Sequence, residues 1–250
     1  MTNSFRKRLA QGELLIGTII TLPTPEISEI LSQSGVDWLF IDLEHSALSI
    51  QDAQIILQVA SPYVPCIIRI PSNEELWIKK CLDIGASGII VPQLRGAADA
   101  ERALRDSRYA PQGSRSVGIG RAHGYGLKFQ EYVQSANDEI AVILQIEHID
   151  AVKDIDQILK VPGIECLFVG PYDLSASMGR IGQIDAPDVQ EAIAVVKQRA
   201  DRAHMPLGIF GVTPQAVKPY IENGYKLIAV SSDAALLGGA AESMIASLKE

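Results

Sequence analysis

The sequence predicts an α/β fold: a (β/α)8 TIM barrel of eight parallel strands and eight helices, forming a single domain over residues 1–250. Three observations carry that prediction. Short apolar runs rich in Ile and Val alternate with amphipathic segments almost throughout the chain. The last apolar run is followed by a helical segment, so the units count to eight, joined by the short connections that βα units require. At 250 residues the chain also has the size of one such barrel. An open doubly wound sheet would need G-x-G-x-x-G after its first strand. That strand instead runs Gly17-Thr18-Ile19-Ile20-Thr21-Leu22-Pro23, the isolated Gly118-Ile119-Gly120 lacks the rest of the fingerprint, and no Walker A string occurs.

Taken in order, the first strand is placed at 14–20. The helix 24–34 follows and closes on Gly35, a residue suited to a left-handed C-terminal cap. Strand 36–42 leads to helix 49–60, and strand 66–70 to a helix over 73–85 that ends on Gly85. Strand 88–91 precedes the helix 97–107. The interval from there to 140 is too long for a simple connection. It holds Arg108-Tyr109-Ala110-Pro111-Gln112-Gly113 and the Gly-rich stretch Gly118 to Gly126, and a helix over 127–137 closes it. A long loop inside a compact domain points to function; the plainer alternative is a solvated excursion. Strand 140–146 is followed by helix 148–160, and strand 164–169 by helix 187–204. Strand 206–210 pairs with helix 214–223, closed by Gly224, and strand 226–230 with helix 233–248.

Bulk composition narrows the function classes. A hydrophobic content of 47% supports a large core. The net charge is −8 with no basic run, which excludes a nucleic-acid binder and describes a self-repelling surface. Cys66, Cys81 and Cys166 are odd in number and widely spaced, so neither a zinc motif nor a secreted disulfide framework is visible, and a reducing cytoplasm fits. Residues 1–11 are polar and basic without an apolar h-region, unlike a signal peptide. No apolar run approaches the roughly 20 residues needed to span a bilayer, so no membrane partner is expected.

In a barrel, side chains at the C-terminal strand ends face the active site. Glu147 follows the strand ending Gln145-Ile146, and Asp173 follows Gly170-Pro171-Tyr172 after the next strand. Two carboxylates converging from adjacent strands suit one hard divalent cation, Mg²⁺ or Mn²⁺, with water and substrate oxygens completing the shell. Singly, each acid reads equally well as a surface group, and Asp173 as the N-cap of a helix starting at Leu174. His45 follows strand 36–42 beside Glu44 and titrates near neutrality, so it can act as acid or base if a carboxylate orients it. Asp42, Glu44 and Asp83 are the candidates for that carboxylate. His123 is the weaker alternative base, and His148 and His204 read as helix-edge residues. Arg69 ends a hydrophobic strand, where a cation is costly unless paired. It serves either a salt bridge or a clamp on a substrate carboxylate or developing enolate. Gln145 offers a neutral hydrogen bond beside the acids, and the backbone from Gly170 to Tyr172 opens into a helix that can receive an anion.

With these residues the chain resembles the HpcH/HpaI-type class II pyruvate aldolases. The resemblance covers essentially the whole chain and rests on Asp37-Trp38-Leu39-Phe40-Ile41-Asp42-Leu43-Glu44-His45, Arg69-Ile70-Pro71 and Ile78-Lys79-Lys80-Cys81-Leu82-Asp83-Ile84-Gly85-Ala86. It continues through Val91-Pro92, Arg108-Tyr109-Ala110-Pro111-Gln112-Gly113-Ser114-Arg115, Gln145-Ile146-Glu147 and Gly170-Pro171-Tyr172-Asp173-Leu174-Ser175. It implies that Glu147 and Asp173 bind a divalent cation, Mg²⁺ or Mn²⁺ with Co²⁺ an alternative. It implies His45 as acid/base oriented by Asp83, Arg69 at the pyruvate oxygens with Gln145 assisting, and the amides of Gly170 and Tyr172 at the pyruvate carboxylate. It also implies a homo-oligomer, a trimer or hexamer, whose last helix packs on a neighbouring subunit. Departures fall around the aldehyde half of the substrate. Ile19 stands where many members carry Trp, Leu43 where Gly is common before Glu-His, and Phe210 where Leu is common. The Arg121-Ala122 pair is followed by His123-Gly124-Tyr125-Gly126. Phe210 and Val117, the latter in the long loop, are expected to contact substrate.

The expected reaction is reversible cleavage of a 4-hydroxy-2-oxo acid to pyruvate and an aldehyde. The cation polarises the keto group, Arg69 meets the developing oxyanion, and His45 takes the C4 hydroxyl proton. No lysine stands at a strand end poised for a Schiff base, Lys226 being at the wrong end, so the covalent aldolase route is disfavoured. Rival readings are a citramalyl- or malyl-type CoA-thioester lyase, for which no basic cluster is visible, oxaloacetate decarboxylation at the same site, and a non-catalytic binding barrel. The last predicts a broken acid pair or a missing base, and neither is broken.

Overall fold

Eight parallel strands close on one another in sequence order: β1 (Leu15–Ile20), β2 (Trp38–Asp42), β3 (Cys66–Arg69), β4 (Gly88–Val91), β5 (Ala141–Ile146), β6 (Cys166–Val169), β7 (Leu207–Gly211) and β8 (Leu227–Ser232), with β8 pairing back to β1. The computed structural model describes residues 4–249. All eight expected strands are present. Their runs are continuous in Ile, Leu and Val because both faces are buried. One face turns inward, where Leu15, Trp38, Phe40, Ile67, Ile90, Ile143, Phe168 and Leu227 fill the barrel. The other turns outward, where Leu39, Ile41, Ile68, Ile89, Val142 and Leu167 meet the helices. Two glycines make room for this interior. A Cβ on Gly17 would lie 2.5 Å from the Trp38 carbonyl oxygen, and one on Gly208 would lie 2.5 Å from the Phe168 ring. Both positions exclude any larger residue.

Helices cover the outside: α2 (Pro25–Ser32), α3 (Ile50–Ala60), α4 (Glu75–Asp83), α5 (Ala97–Ser107), α6 (Phe129–Glu139), α7 (Ile149–Lys153), α8 (Ile155–Ile158), α9 (Pro171–Ser177), α10 (Pro187–Arg202), α11 (Pro214–Glu222) and α12 (Asp233–Lys249). Three differences from the sequence expectation have local causes. First, a short helix α1 (Phe5–Ala10) precedes the barrel. Phe5 and Leu9 join the inner cluster, with Phe5 5.9 Å from the Trp38 ring, so α1 plugs the N-terminal end of the barrel. Second, the expected helix over 148–160 breaks at Asp154. That side chain turns away to accept a hydrogen bond from Ala97 N at 2.8 Å, capping α5 instead of continuing its own helix. Third, α9 begins at Pro171, so Asp173 lies inside the first turn and is not its N-cap. The long interval before α6 contains a 3-10 turn, Arg121–Gly126, with left-handed Gly124 and Tyr125. No helix among the described residues is long and apolar enough to cross a membrane.

Strand register sets the height of each candidate side chain. Asp42 and Arg69 are direct partners across β2 and β3. Ile146 and Val169 are partners across β5 and β6, and Gly170 N donates to Ile146 O at 3.1 Å. Glu147 and Gly170 therefore emerge side by side at the C-terminal mouth. At the opposite extreme of the chain, every residue of α12 after Asp233 is exposed.

Candidate active site

The C-terminal mouth holds a cavity of about 160 Å³ lined by Ile19, Phe40, His45, Arg69, Gln145, Phe168, Gly170, Pro171, Tyr172, Asp173 and Phe210. Seven of the sequence-predicted site residues, His45, Arg69, Gln145, Gly170, Tyr172, Asp173 and Phe210, thus line one cavity. The Tyr172 and Phe210 rings stand 6.5 Å apart at the rim. Among the described residues, no lysine lines this cavity. A larger open depression, about 920 Å³, lies at the N-terminal face among α1, Ser61–Pro65 and Gly85–Ser87. It collects no converging acids, so chemistry and not size identifies the site.

Glu147 is 1% exposed. Its Oε1 accepts from Gln93 N at 2.7 Å, and its Oε2 accepts a close hydrogen bond from Gln145 Nε2. Burial pushes its carboxyl up to about 7, against the pull of those two donors, and the charges of Glu44 and Asp173 raise it further. Burial likewise lifts Glu44 to about 7, partly opposed by Arg69, while Asp42 and Asp173 add to the rise. Three carboxylates thus repel one another in a poorly solvated mouth. Glu44 Oε2 and Gln145 Oε1 are buried without a hydrogen-bond donor. Arg69 Nε is 3.3 Å and His45 Nε2 3.6 Å from that Glu44 oxygen, within ion-pair range only.

This set fits a hard divalent cation. Repelling carboxylates, an orphaned amide oxygen and an orphaned carboxylate oxygen are all oxygen donors lacking positive charge. Gly170 keeps the space open, since a Cβ there would lie 2.8 Å from Glu147 Oε2. Among the described residues no group of three or more His, Cys, Asp or Glu forms a ligand set.

Arg69 is clamped from one side. Its Nε donates to Asp42 Oδ1 at 2.9 Å and its Nη2 to Asp42 Oδ2 at 2.7 Å, and it lies over the Phe40 ring at 5.1 Å. Burial disfavours the guanidinium charge, but the bonds and charge of Asp42 outweigh it and hold the pKa above its ordinary value. Arg69 is therefore salt-bridged to Asp42 and also lines the cavity. Asp42 also accepts from the backbone N–H groups of Glu44 and His45, at 3.0 and 3.3 Å. One carboxylate so shapes the turn that carries both residues, and the His45 side chain stays 55% exposed at the mouth.

Three expectations are corrected. Asp83 does not orient His45 within this chain. It ends α4, which leads into β4, and a helix end feeding a strand lies at the barrel's N-terminal face. There Asp83 accepts from Arg115 Nη2 at 2.6 Å. Val117 does not reach the mouth either. It is exposed on the same far loop, where neighbouring Gly118 and Gly120 approach Asp83. Finally, Gly170 has no free amide for a substrate carboxylate, because its N–H is spent on Ile146. Pro171 has no N–H, so the first free amide belongs to Tyr172.

The long loop is anchored under the barrel, not over the mouth. Arg121 donates to Ile84 O, Leu57 O and Ser61 Oγ. His123 is fully buried, 3.1 Å from Tyr109 Oη and stacked on Phe129, which removes it as an alternative base. His148 caps α7, as its helix-edge reading expects. Sequence reasoning missed two groups at the mouth: Glu44 as a member of the acid cluster, and Gln93 as a donor to Glu147. Glu44 sits beside His45 after a strand, a signal that was visible; Gln93 carried none.

The family model described as HpcH/HpaI aldolase/citrate lyase matches residues 16–240. The chain is 38% identical over 240 residues to a hydroxypyruvate/pyruvate aldolase of Paraburkholderia phytofirmans, covering 93% of this chain and 92% of that protein. It is 38% identical over 249 residues to a 4-hydroxy-2-oxo-heptane-1,7-dioate aldolase of Escherichia coli, covering 98% and 95%. A crystal structure of an HpcH/HpaI aldolase/citrate lyase family protein from Burkholderia cenocepacia superposes with a TM-score of 0.96 at 35% identity, covering 100% of both chains.

Proposed function

Because the chain belongs to the HpcH/HpaI aldolase/citrate lyase family, we propose that it is a metal-dependent class II aldolase that reversibly cleaves a 4-hydroxy-2-oxo acid to pyruvate and an aldehyde. One observation carries the reading: Glu147 and Asp173 leave adjacent strands beside Arg69 and His45 at one mouth that no lysine lines. A Mg²⁺ or Mn²⁺ ion held by Glu147 and Asp173, with Co²⁺ an alternative, supplies Lewis-acid polarisation of the keto group when bound.

The chain's own residues do the rest. Asp42 occupies Arg69 Nε and Nη2, which leaves Nη1 to meet the pyruvate oxygens and the negative charge that grows on the keto oxygen. His45 takes the proton from the C4 hydroxyl. The C3–C4 bond then breaks, the aldehyde leaves, and the pyruvate enolate remains until C3 is protonated. Addition is the reverse. Gln145 holds Glu147 in place, and the amide of Tyr172 receives the pyruvate carboxylate. Phe210, Tyr172 and Ile19 border the aldehyde. A CoA-thioester substrate is disfavoured because Arg69, already paired, is the one Lys or Arg among the described residues that lines the cavity. The chain works as a single barrel domain and as a homo-oligomer, trimer or hexamer, joined through α12. Its three cysteines are free and buried, in keeping with a reducing cytoplasm.

The test is a panel of aldehydes incubated with pyruvate and Mg²⁺, Mn²⁺ or Co²⁺, read by product mass, with EDTA and borohydride controls. Aldol products that vanish with EDTA, and no reduced covalent pyruvate adduct, are expected. A borohydride-trapped adduct would replace this mechanism with the Schiff-base route.

A further inference from the structure

Gln93 follows β4 at the mouth, directly after Pro92, with a left-handed backbone at φ +58°. A proline followed by a left-handed residue is a turn that favours Gly or Asn at the second position. A glutamine there is strained. Its side chain is exposed, so packing in the core does not compensate for that strain. What the conformation accomplishes is to aim the Gln93 N–H at Oε1 of Glu147, 2.7 Å away. Among the described residues it is the one backbone donor to that buried carboxylate.

We infer that Gln93 is a positioning residue for the cation site: its left-handed backbone aims an N–H that fixes the Glu147 carboxylate before a cation arrives. The inference rests on the reading of Glu147 as a cation ligand. The energetic logic is that of preorganisation. Glu147, Glu44 and Asp173 repel one another, and a carboxylate tied at one oxygen by a rigid turn cannot swing away to relieve that repulsion. Gln145 ties the other oxygen, and Gly170 leaves the remaining approach open.

The test measures Mn²⁺ affinity without substrate, by electron paramagnetic resonance of free Mn²⁺, and thermal melting in EDTA. Gln93→Gly adopts the left-handed backbone without strain and keeps the N–H, so it melts at or above the wild-type temperature in EDTA and binds Mn²⁺ like the wild type. Gln93→Val, whose β-branched side chain disfavours the left-handed region, turns the N–H away and binds Mn²⁺ about tenfold more weakly, the low end of what outer partners of metal ligands contribute. Gln93→Asn, which tolerates the left-handed region, keeps most of the affinity. Wild-type affinity in the Val variant overturns the inference, and so does a Gly variant as weak as the Val variant. If the Val variant fails to melt cooperatively, Gln93→Ala, which also disfavours the left-handed region, decides in its place. Glu147→Gln separates the two levels of the argument. If it too binds Mn²⁺ like the wild type, the cation assignment has failed; if it loses Mn²⁺ while the Gln93 variants keep it, only the role of Gln93 has.

Discussion

His45 and Arg69 line the same cavity, but their surroundings differ, and so do the consequences of removing them. His45 is half-exposed and held through its backbone. His45→Ala should leave the fold and pyruvate binding nearly intact while lowering cleavage turnover by about 10²–10⁴-fold, the usual share of side-chain acid/base catalysis. Steady-state kinetics with a pyruvate-competition assay would show it, and full turnover in the variant would place the base elsewhere. Arg69 is buried against Asp42, itself 3% exposed. Arg69→Ala strands that carboxylate, a change that typically costs about 3–5 kcal/mol. The variant should therefore melt well below the wild type as well as lose turnover and pyruvate affinity. Normal melting would mean that Asp42 finds another partner or water.

At the scale of elements, α12 is the anomaly. It carries Leu236, Leu237, Met244, Ile245 and Leu248 on exposed positions, Leu248 at 79%. These and the alanines and glycines between them cover more of the helix than one stripe, and its own barrel buries none of them. An uncovered apolar helix of this length calls for a partner surface, and a second copy of the chain supplies the same surface at equal concentration. The wild type should sediment as an oligomer at micromolar concentration. The pair Leu237→Asp and Met244→Asp should shift it toward the 27.0 kDa chain, because an aspartate at a buried interface position is left without a partner. A wild type that sediments as a monomer would leave the apolar face of α12 without explanation. α9 shows the converse case, a short element that buries Leu174 and Ser175 while presenting Asp173 at the mouth. It starts at Pro171, so Asp173 faces the mouth from the first turn.

The whole molecule stores electrostatic tension at its mouth. The Glu147 and Glu44 carboxyls are raised from 4.5 to about 7 in the folded chain, whereas in the unfolded chain they return to the ordinary value. A raised carboxyl means the folded state binds protons more tightly. The stability it contributes is present below about pH 4.5 and is lost as pH rises through about 7. The metal-free protein should therefore lose stability across that window. A divalent cation competes with those protons, so the stabilisation by Mn²⁺ should grow over the same pH range. Melting in EDTA and in Mn²⁺ from pH 5.5 to 8 would reveal a widening gap, with about 2–4 °C for each kcal/mol in a chain of this size. A gap that stays constant with pH would mean that the cation does not displace protons from these two acids.

Alternation, strand count and the acid pair were legible in the sequence because each depends on neighbours close in the chain. Buried parallel strands need continuous Ile and Val runs, helices need their 3.6-residue stripe, and Glu147 and Asp173 each stand just past such a run. Even the position of Asp83 was legible in principle, since a helix end leading into a strand must lie opposite the mouth. Its pairing with His45 came from the family resemblance, which carries no record of chain direction. What the tertiary structure alone decided depends on register and backbone direction between residues far apart. The pairing of Asp42 with Arg69, the commitment of Gly170 N to Ile146, the burial of His123 under the barrel and the left-handed turn that points Gln93 at Glu147 are such cases. Each is set by where another strand or loop happens to stand, and local sequence periodicity carries no record of that distance.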